Sequence, residues 1–386
     1  MRRRLASLAI AFSFASAAQS ASIVTIDPTA SRGHNVAIGA DGLPRIAYSD
    51  FNNELMLATC SVPDCSVSTY RDTIDGVFGE YASLAIRPNG NPLLAYYDSF
   101  DDSLAQASCH EDNCSGVETL RYLDDSAEDT GRDVSLAIDI DGRPVAAYVN
   151  TTDHSLQLVR CQTNNCDSVT ITVVDDEAAA SLGTDAELAL QDGLYPVIAY
   201  LDVTEHEVRI AICHDVACAT PPTTHWYTDP DLGGPIGLDL DTDGHPVMSF
   251  HDTTNDRLQV IRCLDRECTT RQERTIDDAT EGAGGHSDLV VRPNGLPAIS
   301  YWRGLGGGAR ALYVAECRDA TCSPGNVDLI QVDGRPGEVI GADTSIAIGS
   351  DGGVVVSYFD VTNDSLKFAR CDPTGCDVLF ADGFEP

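Results

Sequence analysis

Two cysteines enclosing four residues recur seven times along this chain, at Cys60/Cys65, Cys109/Cys114, Cys161/Cys166, Cys213/Cys218, Cys263/Cys268, Cys317/Cys322 and Cys371/Cys376. These pairs use all fourteen cysteines. A frame repeated this often, with nothing left over, means that the chain is built from seven copies of one unit, and whatever the unit cannot bury alone its neighbours must cover.

The copies align over most of their length. "SLAIRPNGNPLLAYYDSFDDSLAQASC", "SLAIDIDGRPVAAYVNTTDHSLQLVRC" and "SIAIGSDGGVVVSYFDVTNDSLKFARC" share one pattern. A short apolar run is followed by an Asp-Gly or Asn-Gly turn, as at Asp141-Gly142-Arg143-Pro144. A second run ends at a repeated aromatic (Tyr48, Tyr96, Tyr148, Tyr200, Phe250, Tyr301, Tyr358). A polar turn, a third run ending at the first cysteine, the cysteine loop and a fourth run complete the unit. Glycine-marked turns between apolar runs of this length predict meandering antiparallel strands. Seven four-stranded units of roughly 50 residues predict an all-β, seven-bladed β-propeller. An open β-solenoid is the rival. It would leave "SIVTID" (22–27) without a partner, whereas a ring uses that segment as the outer strand of the last blade. The cysteines are expected at the end of the third strand and the start of the fourth, facing each other as disulfides that staple the exposed outer hairpin. Zinc is the competing reading, but each pair lacks a second Cys or His pair at similar spacing.

The first residues, "MRRRLASLAIAFSFASAA", have the charged and apolar regions of a secretory signal peptide, expected to span 1–21. The propeller is then expected over 22–377 and a C-terminal tail over 378–386. Export would put the cysteines where disulfides persist, and the expected location is secreted, periplasmic or cell-surface. No later apolar run approaches the roughly 20 residues of a spanning helix. A formal charge of −36 argues against nucleic acid and anionic lipid as partners.

Shared residues of a repeat hold the fold, so function is sought where units differ. Asp50, Asp98, Asp202, Asp252 and Asp360, with Asn150 and Arg303 in the corresponding places, end the second strand, where aspartates cap turns. Asp133, Asp185, Glu187, His286, Asp288 and Asp343 come just before the expected inner strands and should line the channel entrance. Of these, Asp133, Asp185 and Asp343 are candidate oxygen ligands for calcium. "DLDTDG" (Asp239, Asp241, Asp243, Gly244) begins like a calcium loop, but Phe250 stands where the bidentate glutamate belongs. The sixth unit departs most: "YWRGLGGGARAL" (301–312) brings Trp302, Arg303 and Arg310 to an otherwise acidic face. An aromatic plate with cations on a glycine tip suits a sugar or an acidic group. His251 is a further candidate, and His225-Trp226-Tyr227 is expected on an outer strand, as packing or a side-surface patch. No nucleophile elbow, zincin motif or phosphate loop is present.

The run from Asp141-Gly142-Arg143-Pro144 through Tyr148 to "SLQLVRC" resembles a repeat of secreted bacterial β-propeller proteins, loosely within the sialidase-like group. The resemblance covers 22–376 and implies fold and export. Sialidase activity is not implied, because the Ser-x-Asp-x-Gly-x-Thr-Trp boxes are missing. "LFADGFEP" (379–386) is similar to short GFE tails of certain secreted proteins. The expected function is a monomeric, non-enzymatic platform binding a glycan or protein at the channel mouth. A polysaccharide hydrolase or lyase using the acidic residues there, with calcium if any cofactor, is the alternative.

Overall fold

A computed structural model describes residues 21–67, 69–76, 79–176, 182–202, 204–228, 232–373 and 375–376. The predicted signal peptide through residue 20 and the tail lie outside the described residues. Twenty-eight strands form seven antiparallel sheets of four, and no helix occurs among the described residues. The sheets ring a central axis. The innermost strands are Ala30–Ile38, Gly79–Ile86, Thr130–Ile138, Leu182–Gln191, Leu232–Leu240, Ala283–Val291 and Ile340–Ile348, and each touches the next, the last returning to the first. This is a seven-bladed propeller. Ring closure is as the sequence suggests: Ser22–Asp27 pairs antiparallel with Ser365–Arg370 and supplies the outer strand of the seventh blade.

Burial follows position in the blade. Second strands such as Pro92–Asp98 and Val354–Asp360 are buried along their whole length, because neighbouring blades cover both faces. Outer strands such as Val169–Asp175 are largely exposed. Seven apolar clusters fill the seams between blades; one joins Val145, Leu156 and Leu158 of blade three to Leu188, Ile198 and Tyr200 of blade four. The repeated tyrosines are buried there, and their hydroxyls point back to the previous blade. Tyr96 donates to Asp75 (2.5 Å), Tyr148 to Asp124 (2.8 Å), Tyr200 to Asp175 (2.6 Å), Tyr301 to Asp277 (2.8 Å) and Tyr358 to Asp333 (2.7 Å). Each aspartate ends the preceding outer strand. The fifth blade has Phe250 at this place, and the strand before it, Thr223–Thr228, ends without an aspartate.

All seven cysteine pairs form disulfides within their own blade, as the spacing suggests: Cys60–Cys65, Cys109–Cys114, Cys161–Cys166, Cys213–Cys218, Cys263–Cys268, Cys317–Cys322 and Cys371–Cys376, with Cα atoms 4.5 to 5.0 Å apart. Their placement corrects the expectation in two respects.

The first concerns the second cysteine of each pair, which does not open the fourth strand. Cys65, Cys114, Cys166, Cys218, Cys268 and Cys322 all lie in the connecting turn, and the outer strands begin only at Tyr70, Val117, Val169, Thr223, Arg271 and Val327. The first cysteine pairs across the hairpin with a later residue instead, as Cys161 does with Val169 and Cys263 with Arg271. The physical reason is a tight turn of four residues that ends at the second cysteine. The amide of the second cysteine donates to the carbonyl three residues earlier: Cys65 to Val62 (3.0 Å), Cys114 to Glu111 (3.1 Å), Cys166 to Thr163 (3.0 Å), Cys218 to Asp215 (3.1 Å), Cys268 to Asp265 (3.1 Å) and Cys322 to Asp319 (3.2 Å). A left-handed backbone at each of these six, with φ between 45° and 55°, curls the sulfur back onto its partner. Carboxylates hold the turn: Asp215 accepts from the amides of Ala217, Ala219 and Thr220. In blade seven, Cys376 cannot open a fourth strand at all, because that strand is Ser22–Asp27 from the other end of the chain. There Gly375 carries the left-handed backbone (φ 139°), and its amide donates to the Asp372 carbonyl (3.1 Å).

The second correction concerns burial. The bridges sit within the seams rather than on an exposed outer hairpin. Cys65, Cys114, Cys268, Cys322 and Cys376 are all buried, and Cys213 and Cys218 pack with Leu156 and Leu158 of the preceding blade.

Candidate functional site at the channel mouth

Every inner strand slips register near its start, as between Arg132 and Ser135 or between Glu80 and Ser83. At each slip one residue adopts a left-handed backbone: Gly33, Tyr81, Asp133, Asp185, Gly234, His286 and Asp343, with φ between 47° and 83°. Bulges of this kind re-aim side chains. Here they turn seven positions into one ring at the mouth of the channel. Glycine suits the conformation; the three aspartates tolerate it, and Tyr81 and His286 are held in it by the sheet. Gly33 and Gly234 lie beneath the backbone of the next bulge: a Cβ on Gly33 would meet the Tyr81 amide nitrogen at 3.6 Å, and one on Gly234 would meet that of His286 at 3.4 Å.

Just below this ring, side chains lace the inner strands together. Ser345 Oγ accepts from the Val36 amide (3.2 Å), Asn35 Oδ1 from Leu84, Ser83 Oγ from Leu136 and Ser135 Oγ from Leu188 (3.0 Å each), and Asp288 Oδ2 from Ile346 (2.9 Å). Glu187 occupies the same place in blade four, but its Oε2 accepts from the Ser135 hydroxyl (3.0 Å). Above the belt lies a cavity of ≈590 Å³, lined from six blades by residues including His34, Asn53, Glu80, Tyr81, Asp133, Asp185, Glu187 and Asp343.

The cavity walls perturb these groups. Burial pushes the Asp133 carboxyl up to about 7, and Asp185 beside it adds to the rise. Asp185 is pushed up to about 6 by burial, with His286 opposing and Asp343 adding. Burial, then Asp288, raises Glu187 to about 8. Burial raises Asp288 to about 6, against the pull of the amides it accepts from. His34 is driven the other way, to about 4, again by burial first. The mouth therefore holds a neutral imidazole and several carboxyls poised near neutrality.

Blade six stands beside the cavity, next to Asp343 of its lining. His286 Nδ1 lies 2.8 Å from Asp343 Oδ1, and its ring meets the Trp302 indole edge-on, with centroids 4.6 Å apart. The indole rests on Gly285, where a Cβ would lie 1.6 Å from Nε1. Arg310 sits over the same indole, 5.3 Å from its centroid. Trp302 and Arg310 thus come together, with His286 beside them. Arg303 turns into the blade: its Nε is 3.1 Å from Asp277 Oδ2, and its guanidinium lies over Tyr313. His251 spends Nε2 on Asp256 Oδ1 at 2.9 Å. Asp50, Asp98, Asn150, Asp202, Asp252 and Asp360 each accept from amides of the following turn.

Among the described residues, one group of three or more possible metal ligands has its atoms within 4.8 Å of one another: Asp241, Asp243 and His245, at the foot of blade five. Asp241 there already accepts from two amides through Oδ1 and from Arg262 through Oδ2. Asp133, Asp185 and Asp343 share the cavity without converging to that distance. His225, Trp226 and Tyr227 lie on an outer strand, with Tyr227 buried beneath Arg271 and Trp226 exposed.

Sequence reasoning missed His34, Glu80 and Tyr81. Aligning the units at their first turn would have put Tyr81 in the slot of Asp133, Asp185 and Asp343.

No family model and no curated protein matches the chain. Solved structures do. A polysaccharide lyase, an ulvan lyase bound to -[GlcA(1-4)Rha3S]-, superposes with a TM-score of 0.63 at 9% identity, over 90% of this chain and 95% of that one. The polysaccharide lyase Uly1 gives 0.51 at 10% identity, over 89% and 90%. The NanB sialidase from Streptococcus pneumoniae is a looser likeness, 0.48 at 10% identity, over 89% of this chain and 68% of that one. What the two lyases share with this chain is the propeller fold.

Proposed function

We propose that this protein is a carbohydrate-binding propeller that works outside the cytoplasm, as a monomer, and takes its ligand at the channel mouth. The observation that carries the reading is the ≈590 Å³ polar cavity, whose lining residue Asp343 meets His286, itself packed against the Trp302 indole beside the cavity. Its size is within the ~300–1,000 Å³ of small-molecule sites, and an indole beside hydroxyl, amide and carboxyl groups offers what a sugar ring needs. Trp302 is the apolar plate, Arg310 fixes its outer side, and Arg303 braces the strand that carries it. His251 flanks the site through Asp256. The seven disulfides support a location in an oxidising compartment. A glycan array comparing the oxidised protein with Trp302→Ala tests this reading. Loss of the bound glycans in the variant, with an unchanged melting temperature, is expected; identical binding by both proteins would overturn the site assignment.

A second reading, a hydrolase or lyase, is favoured by one observation. Carboxyls held near neutrality, as Asp133 and Glu187 are, suit general acid–base work. Incubating each glycan bound on the array with the protein, and looking for new reducing ends or unsaturated products, separates the two readings. Products lost in Asp133→Asn would establish catalysis.

A further inference from the structure

The charge of the channel-mouth cavity specifies its ligand more narrowly, an argument that rests on the carbohydrate-binding reading above. Five acidic side chains line the cavity (Glu80, Asp133, Asp185, Glu187 and Asp343), and among the described residues no lysine or arginine does. An acidic lining alone describes any wet hole in a polyanion. A second feature points to an occupant. His34 is 8% exposed and forms part of the lining; its Nδ1 is held 2.9 Å from Ser357 Oγ, while Nε2 at the opposite end of the ring is buried with no partner among the described residues. Buried polar atoms are nearly always satisfied, so a lone one on a residue of the cavity lining leaves a hydrogen-bonding position to be met when the cavity is occupied.

Three classes of ligand can be compared. An acidic sugar would meet acidic groups from four blades with no lysine or arginine in the lining, which penalises it. A dehydrated divalent metal needs several oxygens about 2.3–2.6 Å from one point, and the mouth brings no such trio within 4.8 Å among the described residues. An organic cation needs neither. An ammonium group donates three hydrogen bonds in separate directions and can reach carboxylates spread over four blades, while the rest of the molecule fills the space beside His34.

We propose that the sugar taken by this cavity carries a free, protonated amine, as in an oligomer of glucosamine, and that Asp185 and Asp343 hold the amine. N-acetylation removes the charge and two of the donors, so the acetylated sugar is discriminated against.

Calorimetric titration of the full chain with four defined probes tests this: a glucosamine tetramer, an N-acetylglucosamine tetramer, a glucuronate-containing oligosaccharide and a tetralysine peptide. The expected result is at least tenfold tighter binding of the glucosamine tetramer than of any other. Asp185→Asn combined with Asp343→Asn should reduce that preference to threefold or less, whereas Trp302→Ala should weaken both tetramers alike. If the double variant does not fold, Glu80→Gln at the rim should lower the preference by about half. Equal binding of the two tetramers would overturn the amine assignment and leave the carbohydrate reading standing; absence of binding by any sugar would remove both. Tetralysine binding as tightly as the glucosamine tetramer would show attraction of any cation to an acidic surface, and would also overturn the proposal.

Discussion

Tyr48, in the second strand of blade one, donates its hydroxyl to Asp27 Oδ2 across 2.8 Å, and Asp27 belongs to the strand that completes blade seven. The pin that joins consecutive blades elsewhere thus also joins the first blade to the seventh. Arg71, from the outer strand of blade one, reaches the same carboxylate at 2.7 Å. Burial works against the Asp27 charge, but hydrogen bonds from Thr29 and Tyr48, with Arg71, hold its pKa below the ordinary value. Tyr48→Phe should cost about 1–2 kcal/mol, read as a lower midpoint in urea unfolding. An unchanged midpoint would mean that the closure pin contributes nothing.

Each disulfide closes a loop of six residues, for which chain entropy gives about 2 kcal/mol. Replacing both Cys161 and Cys166 by alanine should lower stability by about that amount, with some added loss because the pair is buried in the seam. The measurement is urea unfolding of the variant against the oxidised parent. Mass-spectrometric mapping should find the remaining six bridges unchanged.

The channel carboxyls make stability depend on pH in a set direction. Glu187 keeps its proton up to about pH 8 in the folded chain, and Asp133 up to about 7. The unfolded chain loses both protons near pH 4–4.5. Between those limits the folded state binds more protons, so this contribution is complete at low pH and is lost as pH rises to 8. Glu187→Gln keeps the hydrogen bond to Ser135 possible and removes the charge. It should gain on the order of 1–2 kcal/mol over the parent at pH 8 and nearly nothing at pH 5, measured by denaturant titration at both.

Trp302 owes its place to the absence of a side chain at Gly285. Gly285→Ala puts a carbon where the indole nitrogen lies, so the ring must swing away. Glycan binding should fall at least tenfold, roughly as in Trp302→Ala, and near-ultraviolet circular dichroism should show the indole in a new environment. Retention of full binding would show that the plate is not used.

Chelation provides a simpler measurement. With Asp241 engaged by Arg262 and the mouth carboxylates not converging to metal-ligand distance, a calcium chelator should leave both the melting temperature and glycan binding unchanged. A fall in either would restore calcium as a ligand of Asp133, Asp185 and Asp343.

The architecture was legible because one pattern is written seven times, and even the closing strand could be read from "SIVTID" matching the ends of other units. The pairing of the cysteines was legible too, but the placement of the second one was not. Antiparallel pairing suggested facing positions for Cys65, Cys114, Cys166, Cys218, Cys268 and Cys322, whereas a left-handed turn that leaves no mark in composition brings each back to its partner. Cys376 follows a different route, because ring closure takes its blade's outer strand from the start of the chain. At the candidate site, Trp302 and Arg310 stand out in the sequence as departures from the repeat; Asp185 and Asp343 were expected ahead of the inner strands, but those strands begin earlier, at Leu182 and Ile340, and include them. His34 and Tyr81 look like ordinary strand residues, and only the register slip shows that they face the cavity. Arg303 and Trp302 are adjacent in sequence and point to opposite faces of one strand, so a loop read as a unit divides into a plate and a brace.

The strand Ser22–Asp27 leaves the ribosome before any blade, and its partner Ser365–Arg370 leaves only after six blades have been made. Until that partner arrives, the early segment has an unsatisfied row of backbone amides and the first blade has a bare flank. Manufacture and assembly are therefore separated in time: the final event is a meeting of head and tail that no partial product can accomplish. A truncated or stalled chain would remain an incomplete arc with two adhesive ends, open to partners of its own kind.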